Sequence, residues 1–594
     1  MNRPETASAS LPPASDSAAA PPVPGPARLA GHALVEALVA QGVDTVFGVP
    51  GESFLAALNG FHEHRERIRF VGCRHEGGAA FMAEAQGKLT GRPGVCFVTR
   101  GPGATNASIG VHTAFQDSTP MVLLVGQVAA DQRDREAFQE MDYRQMFGPG
   151  TLGLAKWVGE VHAADRLPEY LARAFRTAMQ GRPGPVVLAL PEDMLATATA
   201  APVLPRVEPA LAGPDAEALA ELGRRLEGAE RPIAIVGGPG WTAESLEGLE
   251  RFAEAWELPV GCAFRFQDTF DNRHRLYAGD VGIGIAPALA RRIREADLVL
   301  AIGVRLGEMT TGGYTLLEAP QPRQALVHLH PGAEELGRVY QPALAIPCAM
   351  AKLGPALAAL RPAQPRTPAL GAAARAAYIE NLASTPVAPM DLADVVRTIE
   401  RLAPEDAIYA NGAGNYASWL HRFHTYVGAR HHGRTQLAPT AGAMGYGLPA
   451  AVAASLLCPA RTVIHLAGDG DFLMTGQELA TARAHGAGQG GGRLVSIVVD
   501  NGSYGTIRMH QEREYPARVS GTALANPDFV RYAEAFGWHA ERVEASAQFE
   551  AAFRCALAAA GPTLLHLILP TDVISSRTTL TALREAALRR RAGS

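Results

Sequence analysis

Cysteine and charged residues are both scarce in this sequence, and each shortage removes a class of function. Six cysteines (Cys73, Cys96, Cys262, Cys348, Cys458 and Cys555) are scattered through 594 residues with no CxxC and no paired metal-ligand spacing. That excludes a disulfide framework and a thiolate zinc site, and it points to reduced thiols filling the core of a cytoplasmic protein. Charged residues make up 19% of the chain and sum to a net charge of −5. The resulting field is too weak to attract a polyanion, so nucleic acid is not an expected partner. No apolar run is long and charge-free enough to span a bilayer, and no membrane association is expected.

What is present is globular material in several units. Residues 1–28, rich in Ala, Pro and Ser, hold almost no large apolar side chain and read as a disordered tail. From Leu29 onward, helical patterns alternate with short β-branched runs such as "TVFGVP", "GVCFVT" and "MVLLVGQVA". Buried strands separated by helices predict α/β domains with doubly wound parallel sheets. Pro-rich connectors divide the chain into units at 29–195, 205–365 and 385–575, followed by a tail at 576–594. The basic end "LREAALRRRAGS" reads as a solvated helix terminus.

Two stretches of the third unit carry chemistry. "HLAGDGDFLMTGQELATA" is a strand running into Gly468-Asp469-Gly470-Asp471 and then a helix, and "SIVVDNGSYG" is a strand ending at Asp500-Asn501. Side chains at the carboxyl ends of parallel strands point into the crevice where open α/β sheets bind ligands. A carboxylate, an amide oxygen and a backbone carbonyl are hard donors suited to magnesium, and glycines let backbone N–H groups approach phosphates. Gly-Asp-Gly alone is also an ordinary turn. The second strand end, arriving at the same edge, favours the ligand site.

The pair resembles the signature of thiamine diphosphate-dependent enzymes. By that resemblance Asp469, Asn501 and the carbonyl of Ser503 would ligate magnesium against the cofactor's diphosphate, with Asp500 standing where the family has a first Asn. The resemblance also gives a role to Glu76 in "GCRHEGGAAFMAEAQGKLTG": a glutamate of the first domain that hydrogen-bonds the aminopyrimidine ring and cycles its proton. The small residues around it are expected to make room for that ring. "VFGVPGES", "VTRGPGATNA", "TAFQDSTPMVLLVGQV" and "TAGAMGYGLPAAVAA" are similar to segments of the acetolactate synthase branch, so the likeness spans residues 29 to about 575. It implies pyrimidine-binding, central Rossmann-like and diphosphate-binding domains. Met444 would wedge under the bent cofactor and the Gly442 carbonyl would receive the aminopyrimidine N–H, while Gly414, Asn415, Tyr416, Gly468, Gly470 and Asp471 would surround the diphosphate. Gln127 and Lys156 match polar positions near the substrate.

Departures from that branch bear on the substrate. Gly51-Glu52 replaces two glycines of the first active-site loop, so Glu52 either faces the reaction centre or is a helix N-terminal acid pointing to solvent. His510 replaces the tryptophan that narrows the acceptor pocket, and His112 is expected to be a structural histidine satisfied by backbone. The "GVR" of "GVRLGEMTTGGY" fits a non-redox FAD site, but the acids that should follow are "LGEM", and "VHLHP" lacks the usual aspartates. FAD therefore stays an open expectation. "VGGPGW" lacks the spacing of a dinucleotide loop, so a nicotinamide dehydrogenase is a weak alternative. The resemblance implies a homodimer or homotetramer with sites at the chain interface, and a small regulatory subunit as a further partner. The activity it implies is decarboxylation of a 2-oxo acid, pyruvate favoured, with ligation of the enamine to an acceptor, as in branched-chain amino acid biosynthesis. Simple decarboxylation to an aldehyde is the second reading, and a catalytically silent homologue the third.

Overall fold

The computed structural model describes residues 26–148 and 153–592; the stretch expected to be a disordered tail lies almost wholly outside them. Three six-stranded, all-parallel sheets succeed one another along the chain. In the first, Arg69–Gly72, Thr45–Gly48, Gly94–Val98, Met121–Gln127, Pro185–Pro191 and Trp157–Glu160 lie side by side in that order. In the third the order is Gln436–Leu437, Ile408–Asn411, Val463–Gly468, Leu494–Asp500, Thr563–Ile568 and His539–Val543. Numbered along each domain, both sheets read 2-1-3-4-6-5, and the shared order marks the two domains as variations of one architecture. The central sheet, from Tyr277–Val281 through Val260–Ala263, Pro232–Val236, Leu298–Ile302 and Ala325–His330 to Leu344–Pro347, reads 3-2-1-4-5-6.

The strands form where β-branched and aliphatic residues run uninterrupted, and both faces are covered by helices. Met121–Gln127 and Pro185–Pro191 are buried at every position. Each fully buried Val, Leu or Ile contributes roughly 1.5–3 kcal/mol by leaving water, which makes these central strands the firmest part of each domain. A parallel sheet whose order reverses beside its first strand opens a crevice there. In the third domain that crevice lies between the ends of Ile408–Asn411 and Val463–Gly468.

The first and third domains pack directly on each other. Helix Glu76–Thr90 starts with the His75 Nδ1 accepting the Gly77 N–H at 3.0 Å and ends at Gly91 in a left-handed turn (φ 66°), and its residues Gly77 to Gly87 are all buried. It lies against helix Gly101–Asp117 and against helix Gly447–Leu457 of the third domain. Within the chain the small residues around Glu76 serve close packing: a Cβ on Gly110 would come within 2.4 Å of Ala80, and one on Gly78 within 2.6 Å of the Glu478 carboxylate.

The tail expected at 576–594 is mostly ordered: Leu580–Ala592 is a helix docked on helix Gly505–Glu514, with Arg584 paired to Glu512 and Arg591 donating to the Glu514 carbonyl. Among the described residues no helix is long and apolar enough to cross a membrane. The cysteines form no disulfide; four are buried and Cys555 is exposed.

Candidate active site

The turns that leave the crevice of the third domain converge on a cavity of about 240 Å³. From the first strand come Gly414, Asn415 and Tyr416; from the third, Gly468 to Asp471; from the fourth, Asn501 and Ser503; from the loop before helix Gly447–Leu457, Gly442 and Met444. All of the residues predicted for metal and diphosphate thus line one space. Gly470 fits there because a Cβ would press within 2.7 Å of the Tyr504 ring.

Not every side chain faces that space with free atoms. The Tyr416 hydroxyl donates to Asp471 at 2.5 Å and accepts the Gly412 N–H, while Asp471 also accepts the Gly445 N–H at 2.6 Å. Tyr416 and Asp471 are therefore spent on each other and on the loops, and they contribute by fixing the backbone of the turn. Burial pushes the Asp471 carboxyl up to about 6.

Asp469 is different. It accepts the Gly470 N–H and the Asn526 amide at 2.7 Å, and Asn526 also donates to Asp500 at 2.8 Å. Burial first, and then the neighbouring Asp500, push the Asp469 carboxyl up to about 6, offset in part by the Asn526 and Gly470 hydrogen bonds. Two adjacent carboxylates in a buried site, beside an Asn526 amide oxygen that has no donor, form a set that a hard cation would satisfy. Asp500 is held by His566 at 2.9 Å, so the Asn-to-Asp replacement is matched by a basic partner.

Glu76 stands at the start of its helix, half-buried, accepting the Asn106 amide at 2.9 Å. It does not line the cavity of Asp469. A buried side chain of the third domain nevertheless reaches its loop: the Glu478 carboxylate accepts the backbone N–H groups of Arg74 and His75 at 3.2 and 3.0 Å. A second tie is made by Asp117, which accepts from Lys88 and from Thr440, two residues before Gly442; Lys88 also donates to the Ala438 carbonyl.

Comparison with known proteins decides the family. Three descriptions of the thiamine pyrophosphate enzymes match in order: the N-terminal TPP binding domain over residues 28–146, the central domain over 219–360 and the C-terminal TPP binding domain over 412–567. The chain is 32% identical over 544 residues to the acetolactate synthase isozyme 2 large subunit of Escherichia coli, covering 90% of this chain and 94% of that one. It is 33% identical over 535 residues to the acetolactate synthase large subunit of Parasynechococcus marenigrum, covering 85% and 82%. The chain belongs to the thiamine pyrophosphate enzymes. Within them it sits on the acetolactate synthase-like branch, and rice acetolactate synthase 1, 32% identical over 576 residues, is another relative.

Seen as such an enzyme, the remaining predicted residues are distributed unevenly. Gln127 is fully buried, with its amide donating to the Met141 carbonyl and its oxygen accepting the Val128 N–H. Lys156 is turned to the end of helix Leu167–Met179, donating to the Thr177 and Gln180 carbonyls at 2.6 Å each. Neither has a polar group free toward a substrate within this chain. Glu52 is 65% exposed and pairs at 3.1 Å with Arg100, which also holds Glu192, so it is neither a bare charge nor a fully solvated acid. His510 is exposed, bonded through Nδ1 to Arg513, and lines a second, larger cavity. His112 lines it too and makes no hydrogen bond among the described residues, contrary to the expectation of a backbone-satisfied histidine.

In the central domain, His328 and His330 are buried where aspartates were missed, and desolvation holds both below the usual histidine range, His330 at about 4. The acid beyond them, Glu335, is bound to Arg182, Arg305 and Arg338. In "VGGPGW" the Trp241 indole donates to the Gly237 carbonyl, closing the loop on itself.

Sequence reasoning missed Glu478 and Asn526. Glu478 was in view within "TGQELATA", but its partners are about 400 residues away. Asn526 sits in an irregular segment with no motif, and only the fold brings it to Asp469.

Proposed function

We propose that this enzyme uses thiamine diphosphate and magnesium to decarboxylate a 2-oxo acid, pyruvate foremost, and to ligate the retained acyl unit to an acceptor. The observation that carries the reading is the convergence of Asp469, Asn501 and Ser503 with Gly414, Gly442 and Met444 on one cavity at the crevice of the third sheet, in a chain about a third identical to acetolactate synthases. Thiamine diphosphate, when bound, supplies the electron sink for decarboxylation.

The chain's own residues bind, orient and move a proton. Asp469, Asn501 and the Ser503 carbonyl would hold magnesium, with Asn526 and Asp500 fixing the Asp469 carboxylate behind it. Backbone N–H groups of the turns at 414–416 and 468–471 would face the diphosphate, Met444 would support the bent cofactor, and the Gly442 carbonyl would accept the aminopyrimidine N–H. Glu76 would exchange a proton with the ring nitrogen. In this reading Glu76, which does not line the Asp469 cavity, is supplied by a second copy of the chain, so the active unit is at least a homodimer, with a homotetramer as two such pairs. A small regulatory subunit is a further partner, in keeping with relatives that are named large subunits. FAD has no part in this reading, since the strand end that would take it carries two neutral histidines and an acid already held by three arginines.

A second reading, decarboxylation to an aldehyde with a proton as acceptor, rests on His510, which lines the larger cavity and stands in place of the tryptophan that narrows the acceptor pocket. Incubating the purified protein with both cofactors and a panel of 2-oxo acids, then separating hydroxy-oxo acids from aldehydes, tests the two. Acetolactate from pyruvate supports ligation, and aldehyde alone overturns it.

A further inference from the structure

A cavity of about 910 Å³ lies at the carboxyl ends of the central strands and opens onto Gly414, Asn415 and Gly442, residues it shares with the smaller cavity. Three arginines line it. Arg305 donates to the Gln116 carbonyl and pairs with Glu335, and Arg513 pairs with Glu514. Arg265 has no such partner. It is 7% exposed, and among the described residues no carboxylate lies within ion-pair distance of it. Nη1 donates to the Pro439 carbonyl, and Nε is buried without an acceptor. Nε and Nη2 form the side-on edge of the guanidinium, the edge that grips a carboxylate with two parallel hydrogen bonds. The plane is held by stacking on Phe264 at 4.9 Å.

None of the surrounding acids forms an ion pair with this cation; Asp117, Asp471 and Asp280 favour its charge only across a distance. Asp117 is committed to Lys88 and Thr440, and Asp471 to Tyr416 and Gly445. Asp280 is half-buried with one oxygen that has no partner, and burial, opposed in part by Arg265, pushes its carboxyl up to about 7. Arg265 also stands in the left-handed backbone region (φ 64°), which a long side chain adopts only at a cost. A buried, unpaired guanidinium on a strained backbone weakens the fold, and an anionic ligand arriving from the cavity accounts for it.

We propose that Arg265 is a specificity-determining residue whose guanidinium receives the carboxylate of the 2-oxo acid from the cavity. The substrate class rests on the function proposed above; the anion site itself does not.

The test uses the full chain with Arg265→Met and Arg265→Lys. Oxalate, at constant ionic strength and without cofactor, is the first probe. Its dissociation constant should rise roughly 10- to 100-fold in Arg265→Met, the loss expected for hydrogen bonds to a charged group, with Arg265→Lys between. The ligand-free melting temperature of Arg265→Met should be unchanged or higher, because an unpaired buried charge has been removed. With thiamine diphosphate and magnesium present, KM for pyruvate should rise by a similar factor while kcat holds within about two-fold. Unchanged oxalate affinity in Arg265→Met overturns the proposal, as does a lower melting temperature with wild-type affinity, which would make Arg265 a structural cation. Oxalate binding that depends on Arg265 in a protein that turns over no oxo acid would uphold the anion site and refute the proposed reaction instead.

Discussion

Replacing Glu478 by Ala tests whether the third domain sets the position of Glu76 within its own chain. Glu478 is fully buried, and its carboxylate accepts the N–H groups of Arg74 and His75 together with the Thr481 hydroxyl at 2.5 Å. Truncation leaves two backbone donors without acceptors, at about 1–3 kcal/mol each, and removes a desolvated carboxyl that burial had already pushed above its usual range. The second effect offsets part of the first, so a net loss of about 2–4 kcal/mol is expected; at ~2–4 °C per kcal/mol for a domain of this size, the melting temperature should fall by about 5–15 °C. Glu478→Gln keeps an acceptor of the same shape and should lose less than half of that. In the cofactor-loaded protein, exchange of the thiazolium C2 proton, followed by quenched-flow NMR, should slow by ~10-fold or more in Glu478→Ala because the glutamate one residue beyond His75 is displaced. Cofactor affinity should change little. A melting temperature within 1 °C of wild type together with normal exchange would refute the reasoning, and equal damage from Gln and Ala would show that charge rather than acceptor geometry matters.

Glu76→Gln should leave thiamine diphosphate binding nearly intact while slowing C2 proton exchange by orders of magnitude, and near-normal exchange would remove Glu76 from the mechanism. Mixing Glu76→Gln chains with Asp469→Ala chains should restore roughly a quarter to a half of the sites' activity if each site draws one residue from each chain; no recovery in verified mixed dimers would contradict the shared site. Burial holds the Lys156 amine down to about 8, so the unfolded chain binds more protons than the folded one between pH 8 and 10.5, and stability relative to Lys156→Met should rise with pH by about 1 kcal/mol per unit across that window. Denaturant melts at pH 7.5 and 9.5 check it, and a difference that is flat or falls with pH would count against the assignment.

Much of the fold was readable because its strands are short apolar runs bounded by glycine and proline, and because Asp469 and Asn501 both sit at strand ends. What could not be read was set by distance along the chain. The strand order that places the end of Ile408–Asn411 beside that of Val463–Gly468 depends on crossovers, as does the meeting of Asn526 with Asp469 and of Glu478 with Arg74 and His75. The glycines and alanines around Glu76 were correctly taken as a sign of close approach, and within the chain what approaches is a neighbouring helix and the Glu478 carboxylate. Arg100, which turns Glu52 into half of an ion pair, lies 48 residues away with no pattern to announce it. The terminal helix was hidden because its apolar positions are few: only Leu580 and Ala587 are buried, and an ion pair from Arg584 to Glu512 helps to hold it down.

Calorimetric titration of thiamine diphosphate into wild-type, Asp469→Ala and Asn501→Ala protein, with and without magnesium, tests the central assignment most directly. Binding by wild type should require the metal. Asn501→Ala should bind more weakly and recover as magnesium and cofactor are raised, since it loses one oxygen donor of six. Asp469→Ala should lose more, because it also removes the charge that attracts the cation. Unchanged affinity for both ligands in Asp469→Ala, or tight metal-independent binding by the wild type, would contradict the site.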